Sequence, residues 1–183
     1  MGDNLTPLDV VKFTSAFGSW LQNNKGKKDL TLVIGRDARI SGQMVSSLVS
    51  ATLQGLGIHV IDLGLSTTPT VEVMVPELGA DGGIILTASH NPKQWNALKL
   101  LNEKGEFING ENGAEVLALA EREDFGYAEV DNLGKYKTRE DGFAVHIAKI
   151  LALPMVDAEA VKAKKFKVVL DAVNSTGGMA LPP

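Results

Sequence analysis

The chain contains no cysteine, which excludes disulfides and thiolate metal sites and agrees with a reducing, cytoplasmic address. It also lacks any apolar run near the roughly 18 residues that a membrane-spanning helix needs. Its opening, Met1-Gly2-Asp3-Asn4, carries no lysine or arginine ahead of an apolar core, so no signal peptide is expected. Positive charge is in deficit, with 18 Lys and Arg against 22 Asp and Glu, a formal net charge of −4. There is no basic stripe interleaved with aromatics either, so nucleic acid is not an expected partner and any anion site has to be local. Three chemical signatures are missing as well. No G-x-S-x-G elbow is present for acyl transfer. Gly55-Leu56-Gly57 precedes a strand instead of following one, which makes it a helix stop and not a dinucleotide loop. No D-x-D-x-D metal loop occurs.

What remains is a chain of 183 residues, 44% hydrophobic, long enough for one well-packed domain and short of two. Thr6-Pro7 is a helix opening, with Thr6 as cap, Pro7 in the first turn and Asp9 near the positive end of the dipole. Val10, Phe13, Phe17 and Trp20 follow at helical spacing and read as core packing, with the helix ending before Asn24 and Gly26. Leu30–Ile34 reads as a strand. A helix from Ser41 or Gly42 carries Val45, Val49, Leu53 and Leu56, and His59–Leu63 is the next strand. Thr68-Pro69 opens a helix running from Thr70 to Leu78. Strands alternating with helices predict an α/β class. His59 and His146 stand isolated in these patterns and read as structural.

The organising stretch is Gly82-Gly83-Ile84-Ile85-Leu86-Thr87-Ala88-Ser89-His90-Asn91-Pro92-Lys93. Gly83–Thr87 is a short apolar run bounded by glycines and a polar turn, the pattern of a strand covered on both faces. Asn91-Pro92 then imposes a tight loop over Ala88–Lys93, because proline biases the residue before it away from helix. Such a strand delivers Ser89 to the carboxyl edge of the sheet, where open α/β sheets bind ligands. A serine hydroxyl needs an activating base for acyl chemistry, and the adjacent His90 need not point the same way. Phosphoryl transfer asks chiefly for positioning and positive charge, and Lys93, Lys99, Arg36 and Arg39 are the nearby cations. From the residues alone two readings stay open: a phosphoryl-carrying serine, or a strand-ending turn whose side chains bond their own backbone.

Further loops add cations and turns. Gly35-Arg36-Asp37-Ala38-Arg39-Ile40-Ser41-Gly42 places two guanidinium groups in a loop before a helix, a plausible anion site in which Asp37 could orient either arginine. Ala97–Leu101 and Glu106–Ile108 flank Asn102-Glu103-Lys104-Gly105, a hairpin signal that ties Lys99 to a strand next to the serine loop. Helices are expected over Gly113–Arg122 and Arg139–Leu151, joined by an acidic segment, Glu123–Lys137, in which no chemistry is legible. After Pro154 the charged stretch Asp157–Lys165 reads as a connection, and Phe166–Leu170 as one more buried strand.

Thr87-Ala88-Ser89-His90-Asn91-Pro92 resembles the T-A-S-H-N-P signature of the α-D-phosphohexomutases, the superfamily of phosphoglucomutase, phosphomannomutase and phosphoglucosamine mutase. Gly35-Arg36-Asp37-x-Arg39 and the Gly64…Thr68-Pro69-Thr70 pattern resemble its other early motifs. The resemblance implies a three-layer α/β/α domain with a mostly parallel, mixed sheet and helices on both faces. It also implies that Ser89 is the phosphorylated residue, that Lys99 and His90 are catalytic, and that Arg36, Arg39, Asn91 and Asn96 bind phosphate or substrate. Further implications are magnesium, one of whose ligands is a phosphate oxygen on Ser89, hexose phosphates as substrates and a hexose 1,6-bisphosphate as activator and intermediate. One departure is Ala97, where the family usually has glycine after the asparagine; a positive φ there would strain the loop. Residues 1–153 correspond to the first family domain and 154–183 to a connection and the first strand of an incomplete second domain. The metal loop, sugar loop and phosphate loop of domains II–IV, and the glycine-rich strand that precedes Leu5 in the family, are not in the sequence. The expectation is therefore a fragment that holds the nucleophile without turning over alone. Alternatives are a silent sugar-phosphate-binding or assembly domain and an unrelated serine hydrolase.

Overall fold

The computed structural model describes residues 5–27 and 29–183; the Met1–Asn4 opening lies outside them. Helix α1, Pro7–Lys25, starts as the sequence demands. Thr6 accepts from the Asp9 amide while the Asp9 carboxylate accepts from the Thr6 N–H, a reciprocal cap, and Gly26 closes the helix at φ 61°. The first strand, β1 (Thr31–Arg36), is followed by α2 (Gly42–Gly55), β2 (His59–Leu65), α3 (Thr68–Glu77) and β3 (Gly82–Leu86). Then come β4 (Leu98–Leu101), α4 (Gly110–Arg122), β5 (Tyr136–Thr138) and α5 (Gly142–Leu151), with short helices α6 (Ala158–Ala163) and α7 (Gly177–Ala180) at the end. The cap of α3 is Thr67, one residue earlier than expected, its hydroxyl accepting from the Thr70 amide.

The five strands run in the order β4-β3-β1-β2-β5. β1 pairs in parallel with β2 and β3, and β2 with β5, while β4 is antiparallel to β3. The period of two sorts the side chains of each strand between two cores. Leu32, Ile34, Ile84 and Leu86 pack with Phe17 and Trp20 of α1, Val45, Val49 and Leu53 of α2, and Val116 of α4. Val33, Ile85 and Leu101 pack on the other face with Val71, Met74 and Val75 of α3, which α5 adjoins through Val145. This is the expected three-layer arrangement with a mostly parallel, mixed sheet. Two glycines let β3 sit closely between β4 and β1 under α3: a Cβ on Gly82 would meet the Leu101 carbonyl oxygen at 2.7 Å, and one on Gly83 the Val75 side chain at 2.8 Å.

Two segments differ from the sequence reading. Tyr136–Thr138, in the stretch given no role, is an edge strand on β2, anchored where Tyr136 Oη donates to Asp62 Oδ2 at 2.7 Å. Residues 166–170, expected as a buried strand, form no strand and leave Phe166, Val168 and Val169 exposed. An apolar run becomes a buried strand only where neighbouring strands accept its backbone groups, and none does so here among the described residues.

The winding places a topological switch point beside β1. The chain moves from β1 to β2 on one side through α2, then crosses back over β1 through α3 to reach β3 on the other. The helices of these two crossovers lie on opposite faces. Ligands of open α/β sheets bind outside the carboxyl ends at such a point, here between the loop after β1 and the loop after β3.

Candidate functional site at the switch point

The loop after β3 carries Ser89. Thr87 and Ala88 are buried as the strand runs out, and Ser89 emerges exposed, at φ 52°. A non-glycine residue in this left-handed region is held there by its surroundings, and those surroundings are specific. The Ser89 N–H donates to Thr87 Oγ1 at 3.1 Å, the Thr87 hydroxyl donates to Asp37 Oδ2 at 2.6 Å, and the Ser89 carbonyl accepts from Arg39 Nη2 at 2.7 Å. Ser89 Oγ itself has no hydrogen-bond partner among the described residues. Asn91 turns inward on the loop, both its backbone N–H and its side-chain amide donating to the Ala88 carbonyl.

The loop after β1 supplies the rest. Asp37 Oδ1 accepts from the Arg39 N–H at 3.0 Å and Oδ2 from Arg39 Nε at 3.2 Å. Arg39 donates further from Nη1 to the carbonyls of Pro92 and Trp95 and from Nη2 to those of Ser89 and Asn91, at 2.7 to 3.0 Å. Every N–H of its guanidinium is engaged, so the direct phosphate contact expected of Arg39 has no donor left to make it. Arg36 differs. It spends Nη1 on the Asp37 carbonyl at 3.2 Å and Nη2 on Gln43 Oε1 at 2.9 Å, and its remaining donors are unspent.

Asn96 is held by its own contacts. It is 6% exposed, its amide nitrogen donates to Ser41 Oγ at 3.0 Å and its oxygen accepts from the Ala97 N–H, so it ties the serine loop to the start of α2, and it lines the same groove as Ser89. Ala97 does not have a positive φ, and the strain expected there is absent. His90 is exposed and makes no hydrogen bond or ion pair among the described residues; the structure does not pair it with Ser89. Lys99 lies opposite Ile85, with Nζ 5.7 Å from the centroid of the Phe107 ring and no ion pair among the described residues. Phe107 is bridged to Leu101, the end of β4 remote from the serine loop. The Asp37–Thr87 link was not read from the sequence. Its local half, an aspartate whose carboxylate accepts from the amide two residues on, is an Asx turn and was legible in principle.

An apolar groove of about 910 Å³ opens from the Ser89 and Asn91 end of the loop between α1, β4 and α4, with Phe13, Leu98, Leu100 and Leu117 among its walls. Its polar lining residues include Thr87, Ser89, Asn91, Asn96 and Lys99. Among the described residues there is no group of three or more His, Asp or Glu side chains able to hold a metal ion. A phosphate oxygen on Ser89 would be one ligand, and magnesium needs several oxygens in octahedral array, so the residues present do not by themselves fit the metal. His59 and His146 are structural, bonded to Asp29 and the Lys135 N–H and to Thr70 respectively.

The fold and the site define an α/β/α domain that displays a serine hydroxyl at the switch point of a doubly wound sheet. The family model described as phosphoglucomutase/phosphomannomutase, alpha/beta/alpha domain I, matches residues 1–127, and the chain belongs to that family. It is 36% identical over 180 residues to a phosphoglucomutase/phosphomannomutase of Thermococcus kodakarensis, covering 98% of this chain and 39% of the relative. It is 35% identical over 179 residues to a phosphoglucosamine/phosphogalactosamine mutase of Sulfurisphaera tokodaii, covering 97% and 38%. The chain thus spans about two fifths of the length of these relatives. A solved structure of a putative phosphomannomutase from Thermus thermophilus superposes with a TM-score of 0.73 at 28% identity, over 87% of this chain and 34% of the other. A phosphoglucomutase/phosphomannomutase family protein from Burkholderia thailandensis gives 0.70 over 82% and 33%; at 23% identity it bears on the fold alone. Among the described residues no helix is long and apolar enough to cross a membrane.

Proposed function

We propose that this chain is the serine-bearing domain I of a cytoplasmic phosphohexomutase, and that Ser89 carries the phosphoryl group exchanged with hexose phosphates. The observation that carries the reading is the exposed Ser89, with its hydroxyl unpartnered and its backbone tethered on both sides at the switch point. A hydroxyl of a hexose 1- or 6-phosphate forms a new bond to phosphorus as the bond from phosphorus to Ser89 Oγ breaks. The product is a hexose 1,6-bisphosphate, which turns round and returns its other phosphoryl group to Ser89. The hydroxyl proton passes to a general base and one is restored to Oγ; Lys99 is the proposed carrier, and it must leave the Phe107 ring to serve. Arg36 faces the phosphoryl oxygens with its unspent donors.

Magnesium belongs to this reading as a cofactor whose remaining ligands lie in the rest of a longer polypeptide, and no step is assigned to it here. In the same reading residues 1–153 are domain I and 154–183 the connection and the beginning of domain II. Domains II–IV of that polypeptide are the partners that complete the cleft. The chain alone then holds the nucleophile without interconverting hexose 1- and 6-phosphates. In a polypeptide of the relatives' full length, Ser89→Ala is expected to abolish that interconversion while the unfolding midpoint stays unchanged. Wild-type rates from the variant, or vigorous turnover by the 183-residue chain alone, would overturn the proposal.

A further inference from the structure

Arg36 and Arg39 look interchangeable in sequence, two guanidinium groups in one loop, and the structure separates them. The Arg39 side chain is 11% exposed. Its fork does not point at open space; the loop after β3 is wrapped around it, with four carbonyls, those of Ser89, Asn91, Pro92 and Trp95, converging on its two terminal nitrogens. The fifth donor, Nε, meets the Asp37 carboxylate, which in turn accepts the Thr87 hydroxyl. Both backbone polar groups of Ser89 end on this unit: its carbonyl on Arg39 directly, its N–H on Asp37 by way of Thr87. A residue at φ 52° stays there only when its neighbours over-determine it, and here they do so from both sides of the peptide.

We propose that Arg39 is a positioning residue, which aims the Ser89 hydroxyl by clamping the main chain of its loop, with Asp37 and Thr87 as the second jaw. The inference rests on the phosphoserine reading above and changes one part of it: Arg39 stabilises the phosphoryl group's location and makes no contact with its oxygens. The role depends on the planar fork and not on charge alone. A lysine has three donors on a single nitrogen and cannot hold four carbonyls and a carboxylate spread over two edges of a plane. Phosphoryl transfer is sensitive to such a part, because its catalysis is largely positioning.

The test uses the 183-residue chain, Arg39→Lys and Thr87→Val. The second variant keeps the shape of the side chain, removes only the Thr87 hydroxyl, and guards against the first failing to fold. Two readouts are taken on each: amide hydrogen exchange over residues 87–97, and the rate at which Ser89 acquires a phosphoryl group from a hexose 1,6-bisphosphate. In both variants the loop amides exchange faster while those of β3 do not. The saturated phosphorylation rate falls on the order of 10²-fold, the scale of a small misplacement of reacting groups, with the half-saturating donor concentration unchanged. A wild-type rate in Arg39→Lys overturns the proposal, and a raised half-saturating concentration with the rate intact overturns it and returns Arg39 to phosphate binding. If the wild-type chain takes up no phosphoryl group, the phosphorylation arm is run on a polypeptide of the relatives' full length, where an unmodified Ser89 ends the phosphoserine reading and the aiming role with it. The exchange arm still decides whether the clamp exists, since unaltered loop exchange in both variants removes it.

Discussion

A serine at φ 52° is a compromise between strain and exposure. The left-handed region costs an L-residue about 1–2 kcal/mol, and glycine escapes that cost while giving up about 0.5–1 kcal/mol to chain entropy. Replacing Ser89 by glycine is therefore expected to leave the protein more stable than replacing it by alanine, by about 0.5–1 kcal/mol. Urea unfolding of the two variants measures the difference, and an alanine variant that is the more stable would mean that the turn is not left-handed in solution. The serine, its turn and its place at the sheet edge were legible in the sequence, because each follows from a short apolar run and a proline. The division of labour between Arg36 and Arg39 was not. It depends on the carbonyls that reach Arg39, and those belong to residues about fifty positions away. The bond from Asn96 to Ser41 was hidden for the same reason, since Ser41 lies in a different loop.

Among the elements, those with a strong period were readable and those defined by their neighbours were not. α1 announces itself by its reciprocal cap and by Val10, Phe17 and Trp20 at helical spacing; Phe17 and Trp20 stack at 5.9 Å, and Trp20 Nε1 donates to Glu115. β5 has only three residues, all exposed, so no alternation marks it. It is held to β2 by parallel pairing and by the bond from Tyr136 to Asp62. Partial burial, together with the Asp62 carboxylate, pushes the Tyr136 phenol up to about 12 from its ordinary 10. The sign follows directly: the group favours the folded state while protonated, fully below pH 10, and that contribution is lost as pH rises toward 12. Because Tyr136 is 44% exposed, solvent screens the effect and its amplitude is modest. Tyr136→Phe is expected to lose the bond at neutral pH and to flatten the alkaline limb of stability. Urea midpoints followed into alkaline solution check this, and an unchanged alkaline limb in the variant would assign the sensitivity elsewhere.

For the molecule as a whole, the sheet and its two helical layers account for residues up to the end of α5, and the terminal segment stands apart from them. Phe166, Val168 and Val169 are exposed, and their run reads as a strand because burial is a property of neighbours that a local pattern cannot supply. The relatives' greater length gives such a segment a place to pack in the account offered here, with the metal ligands and the sugar-selecting groups contributed by the same missing regions. On the proposed reading, what this chain contributes is one aimed hydroxyl. The most direct measurement is intact and tandem mass spectrometry of the purified chain before and after incubation with a hexose 1,6-bisphosphate, alongside Ser89→Ala. The account predicts one phosphoryl adduct, localised to Ser89 and absent from the variant. An adduct on another residue, or an equal adduct in Ser89→Ala, would contradict it.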